Sequence, residues 1–207
     1  MNNVEKTIER YPALIGAKEE MLSAVDIILQ SLERDGKILL CGNGGSYADC
    51  EHIAGELLKG FVQKREPQGK ELKRLSEALG ERDAMKLQRG ICAIPLPSVS
   101  GALSAYINDV DPALAYAQLV YAMGRCGDVL IAISTSGSSA NVVNAAKCAK
   151  AQGLKVIALT GESGGELLDL ADCCIRAPEL ETYKVQELHL PIYHAICLEV
   201  EERLFSL

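Results

Sequence analysis

From residue 37 onward, short apolar runs closed by small residues recur along the chain, each followed by a stretch with helical spacing. Residues 37–41 run into Gly42-Asn43-Gly44-Gly45-Ser46, with a helix predicted to about Phe61. Residues 128–133 run into Ser134-Thr135-Ser136-Gly137-Ser138-Ser139, with a helix to about Gln152. Residues 155–159 run into Thr160-Gly161-Glu162-Ser163-Gly164-Gly165, with a helix to about Ala171. Two more short strands are expected near residues 91–94 and 173–176. Strands that alternate with helices in this way predict an α/β fold, a five-stranded parallel sheet with helices on both faces.

Outside that repeat, Ile8, Leu14, Ile15, Met21, Leu22, Val25, Ile28 and Leu29 have roughly helical spacing, with Pro12 starting or breaking a turn. One or two N-terminal helices follow from this, their apolar face covered either by the same domain or by another subunit. Residues 62–90 are rich in Lys, Arg and Glu, with Pro67 and Gly69 as a turn, and read as an inserted helical excursion. Its charges form either a solvated face or a lid whose cations meet a substrate phosphate. A C-terminal helix is predicted from about Thr182, kinked at Pro191 between His189 and His194.

With 207 residues and 48% hydrophobic content the chain has the size of one domain able to bury a full core, so residues 1–207 are expected to fold as a single unit. The net charge of -7 argues against general affinity for nucleic acid or an anionic membrane. The eight cysteines lack the paired spacings of zinc ribbons or redox motifs, and read as reduced core thiols. Neither a secretory signal nor an apolar run of spanning length is visible, so a cytoplasmic location is expected.

In open α/β sheets, ligands bind at the carboxyl ends of strands, where loops lead into helix N-termini whose free amides attract anions. Both the glycine-rich and the serine-rich loop fall there. Gly42, Gly44 and Gly45 would let backbone approach a ligand, and Ser46 could cap the helix or donate its hydroxyl. Ser134, Thr135, Ser136, Ser138 and Ser139 offer more hydroxyls than one cap can use. No Lys-Ser/Thr pair follows the first loop and it lacks dinucleotide spacing, so a sugar phosphate fits better than ATP or NAD. His52 and Glu56, four apart on the following helix, share one face. On the C-terminal helix Gln186 and His194 are about 80° apart around the axis and could face one pocket, whereas His189 among apolar neighbours reads as a buried, hydrogen-bonded histidine.

Four motifs carry a resemblance to the sugar isomerase (SIS) family, specifically its phosphoheptose isomerase branch. They are Cys-Gly-Asn-Gly-Gly-Ser at 41–46, His-x-x-x-Glu at 52–56, Ile-Ser-Thr-Ser-Gly-Ser-Ser-Ala-Asn-Val at 133–142, and Val-Gln-Glu-Leu-His at 185–189 with His194 beyond. The resemblance implies a three-layer αβα, flavodoxin-like fold, a homotetramer with sites at subunit contacts, and isomerisation of sedoheptulose 7-phosphate to a heptose phosphate aldose through an enediol. It implies one zinc ion held by His52, Glu56, Gln186 and His194. It also implies phosphate contacts at Ser46, Ser134, Thr135, Ser136 and Ser139, and sugar contacts at Asn43, Gly44, Glu56, Asp109 and Gln186. Glu56 is the candidate base and His194 the candidate acid. Where catalytic relatives often place an Asp three residues before the Gln, this chain has Tyr183. The family also contains members that bind a sugar phosphate or the replication initiator protein without turnover; retention of the His52, Glu56, Gln186 and His194 set favours an enzyme.

Overall fold

The structure, a computed structural model, describes residues 1–206. It begins with α1 (Asn3–Arg10), a 3₁₀ turn (Pro12–Ala17) and α2 (Lys18–Leu32). Asn2 starts α1 with a reciprocal cap, its side chain accepting from the Glu5 amide while Glu5 accepts from the Asn2 amide. The repeating core then runs β1 (Ile38–Gly42), α3 (Gly45–Leu58), α4 (Gly69–Leu79), α5 (Glu81–Ala84), β2 (Ala93–Pro95), α6 (Ser100–Asp109) and α7 (Ala115–Met123). It continues through β3 (Val129–Ile133), α8 (Ala140–Ala151), β4 (Lys155–Thr160), α9 (Leu167–Leu170) and β5 (Cys173–Arg176) to the long α10 (Thr182–Phe205).

All five strands pair in parallel in the order β2-β1-β3-β4-β5. Both faces of the sheet are covered, and this explains why the strands read as continuous apolar runs. Side chains alternate across the sheet: Ile38, Leu40, Val129, Ile131, Ile133, Ile157 and Leu159 pack with α2, α3 and α10, whereas Leu39, Leu130, Ala132, Val156 and Ala158 face α7 and α8. The N-terminal helices close on the chain's own α10. The Asn3 amide donates to Glu199 at 2.8 Å, and Val4, Met21, Val25 and Ile28 join the core that α10 shares.

Four expectations shift. The third loop leads only into the single turn of α9, and α3 stops at Leu58 rather than Phe61. Not every thiol is in the core: Cys92 and Cys126 are exposed, and all eight cysteines are free. The charged excursion is helical (α4 and α5), but Arg65 within it is buried against Glu201, also buried, at 2.7 Å. Glu201 further accepts from the amides of Phe61, Val62 and Gln63 at 2.8–3.2 Å, so this carboxylate fastens the root of the excursion to α10. No described helix is long and apolar enough to cross a membrane.

Candidate active site

The order β2-β1-β3 places the switch point of the sheet between β1 and β3, and a crevice between the two loops that leave those strands is where such sheets bind ligands. The first loop turns at Gly44, whose φ of 56° suits glycine. A side chain at Gly45 would meet the Gln186 amide, with its Cβ 2.4 Å from Nε2; the bare glycine therefore lets α10 lay Gln186 against the start of α3. Ser46 is buried at that start, and its amide donates to the Asn43 carbonyl at 3.0 Å.

In the second loop Ser134 is buried, with its hydroxyl 3.0 Å from that of Ser139 and 3.4 Å from that of Ser136. Thr135 is half-buried and Ser136 exposed, so this hydroxyl group converges on the N-terminus of α8, a place that favours an anion. Gly137 (φ 66°) holds the loop against the third one, since a Cβ there would lie 1.9 Å from the Gly164 carbonyl oxygen. Across the switch point Asn43 and Asn141 exchange two amide hydrogen bonds of 2.9 Å each.

Below the first loop, α3 and α10 bring together the titratable groups. His52 Nε2 lies 3.2 Å from Glu56 Oε1 and 3.4 Å from His194 Nε2, the two rings standing nearly perpendicular at 88°. The second Glu56 oxygen lies 3.6 Å from Lys59 Nζ. Burial, and then the neighbouring His52, push the His194 imidazole below its ordinary range, so it is neutral near pH 7. Tyr193, Asp49, Lys59 and Phe61 also belong to this cluster and went unseen in the sequence. Tyr193 sits between core residues and reads as one of them, whereas Asp49, three residues before His52 on α3, carried a signal in its helical spacing.

Not every predicted residue gathers here. Asp109 stands exposed at the end of α6, its carboxylate accepting from Asn108 at 2.8 Å, and bonds to no other predicted site residue among those described. His189 is buried as expected, with Nε2 3.2 Å from the Thr160 carbonyl. Tyr183 is 57% exposed.

Whether zinc fits can be judged from the donors. Among the described residues no three His, Cys, Asp or Glu side chains form a closed cage as they stand. Two edges of one are present: tetrahedral zinc with bonds of about 2.0–2.1 Å sets its ligand atoms about 3.3 Å apart, and the His52–His194 and His52–Glu56 separations are 3.4 and 3.2 Å. Two imidazole nitrogens with one carboxylate are a donor set that zinc accepts.

A family model described as SIS domain matches residues 2–92 and 93–161. A phosphoheptose isomerase of Roseiflexus sp. (strain RS-1) is 34% identical over 207 residues, covering 100% of this chain and 93% of the relative. Another, of Thiobacillus denitrificans, is 39% identical over 183 residues, covering 87% and 81%. Among solved structures, a phosphoheptose isomerase from Neisseria gonorrhoeae superposes with a TM-score of 0.72 at 33% identity, covering 96% of this chain and 98% of that one. One from Francisella tularensis gives 0.73 at 28% identity, covering 98% and 100%.

Proposed function

The chain belongs to the SIS domain family, and on that premise we propose that it is a phosphoheptose isomerase converting sedoheptulose 7-phosphate to D-glycero-heptose 7-phosphate. That it is an enzyme, an isomerase of phosphorylated sugars, follows from relatives 34–39% identical over most of its length. The observation that carries the finer reading is the convergence of His52, Glu56 and His194 below two anion-suited loops at one switch point.

In this reading the serine loop and the α8 N-terminus take the phosphate, through Ser134, Thr135, Ser136 and Ser139, with Ser46 from the first loop. Asn43, Gly44 and Gln186 meet the sugar, and Asp109 is assigned there by resemblance alone. Glu56 removes the proton from the carbon next to the carbonyl and returns it to the neighbouring carbon, with its second oxygen 3.6 Å from Lys59 Nζ. His194 gives a proton to the sugar oxygen as the enediol forms. Zinc, held by His52, Glu56, Gln186 and His194, would supply polarisation of the carbonyl and stabilisation of the negative charge. A nitrogen that binds the ion carries no proton, so the acid and ligand roles of His194 Nε2 exclude each other at any one time. The reading includes a homotetramer with sites at subunit contacts and a cytoplasmic location.

The test is isomerisation of sedoheptulose 7-phosphate by the purified protein, with and without added zinc. Glu56→Gln is expected to lower kcat/KM by at least about 100-fold. His194→Ala is expected to be similarly impaired, and residual turnover that no longer responds to zinc would mark His194 as a ligand. Saturable binding without turnover of this or any ketose phosphate would overturn the proposal.

A further inference from the structure

One polar chain in the cluster has no part in the steps above. The Tyr193 ring is buried with 3% exposure, and its hydroxyl lies 2.9 Å from His52 Nδ1 on one side and 3.3 Å from Asp49 Oδ1 on the other. The second Asp49 oxygen, Oδ2, is buried with no hydrogen-bond partner. Among the described residues the Tyr193 hydroxyl is thus the one donor that reaches the Asp49 side chain.

A phenol has one proton to give. If Tyr193 gave it to His52 Nδ1, the half-buried Asp49 carboxylate would be left with no protein donor on either oxygen, its Oδ2 being closed off from solvent, a costly arrangement. Given instead to Asp49, the proton leaves the phenol oxygen free to accept, and His52 must then be the donor from Nδ1. The order of donation is therefore His52 Nδ1–H to Tyr193, and Tyr193 O–H to Asp49. A neutral imidazole with its proton on Nδ1 carries its lone pair on Nε2, where the His194 Nε2–H at 3.4 Å can donate to it, while Glu56 Oε1 at 3.2 Å faces it as a second acceptor, an opposition that a cation between the two atoms would relieve.

We propose that Tyr193, anchored by Asp49, is a positioning residue that holds His52 in its Nδ1–H tautomer and aims the Nε2 lone pair into the active site. Tyr193 and His52 also meet edge to face, with ring centroids 5.5 Å apart, so the orientation of the imidazole is fixed along with its proton. The consequence for metal affinity rests on His52 being a zinc ligand, as proposed above; the tautomer itself does not. Outer partners of ligating histidines act in this way on metal sites generally, and their loss typically costs 10–100-fold in affinity.

The experiment has two arms on the full-length protein, comparing the native chain with Tyr193→Phe, which keeps the ring in the core, and with Asp49→Val, each checked for a retained thermal unfolding transition. The first arm reads the ¹⁵N shifts of the His52 ring in metal-free protein, above the histidine titration range. The native protein should show Nδ1 protonated and Nε2 bare, and Tyr193→Phe should lose that preference. The second arm measures zinc affinity by competition with a chromophoric chelator, where Tyr193→Phe should bind about 10–100-fold more weakly. An Nε2–H tautomer in the native protein, or a tautomer and an affinity that Tyr193→Phe leaves unchanged, would overturn the proposal. A native protein that shows the Nδ1–H tautomer but takes up no zinc would uphold the positioning role and remove the metal reading instead.

Discussion

His189 shows what burial does to a single side chain. Desolvation lowers its imidazole to about 4, opposed by its bond to the Thr160 carbonyl, while Nδ1 has no partner. The unfolded chain therefore binds a proton near pH 6.5 that the folded one refuses, and stability falls as pH drops below that value and levels off near 4. A shift of this size corresponds to roughly 3 kcal/mol across the window. Thermal midpoints between pH 7.5 and 4.5 should fall steeply for the native chain, and less steeply for His189→Leu. At this scale the sequence told part of the story. The interleaving of His189 with Val185 and Ile192 marked it as buried, and the four-residue step from His52 to Glu56 placed both on one face. Tyr193 was hidden because its ring fills the core like a leucine while only its hydroxyl does polar work. Arg65 was hidden because a lone buried cation inside a charged run has no signature in spacing; its partner lies 136 residues away.

Elements were legible where one physical constraint governed them. The strands of a sheet covered on both faces must be apolar throughout, and the loops after β1 and β3 must be small to admit a ligand. Between β2 and β3, α6 gave no clear apolar stripe because none of its residues is buried, whereas α7, which buries Tyr116, Leu119 and Val120, carried a periodic signal that was missed. The root of the excursion of α4 and α5 is fastened at Glu201. Although burial alone would raise the Glu201 carboxyl, the Val62 and Phe61 amides and the Arg65 guanidinium hold it below the usual range. Arg65 also donates to the Leu57 and Glu56 carbonyls at the end of α3, 2.7 and 3.1 Å away. Replacing Arg65 with Met leaves a buried carboxylate short of its counter-charge and should cost about 3–5 kcal/mol. Urea unfolding would read that loss, and hydrogen exchange should quicken first in residues 61–90.

For the molecule as a whole, the loops at the switch point predict stabilisation by substrate. A ketose phosphate at 100 times its dissociation constant should add about 2.7 kcal/mol to unfolding, seen as a rise in the thermal midpoint. Ser134→Ala combined with Ser139→Ala should abolish most of that rise while lowering the unliganded midpoint far less; an undiminished rise would place the phosphate elsewhere. The dimensions of the sheet carry a last consequence. Its two outermost strands, β2 and β5, have three and four residues, and β2 ends in Pro95, which has no amide proton to offer. Rims so short and so poor in free donors give an incoming strand almost nothing to zip onto. The protein is thereby guarded against edge-to-edge aggregation, and a continuous sheet shared between copies is disfavoured.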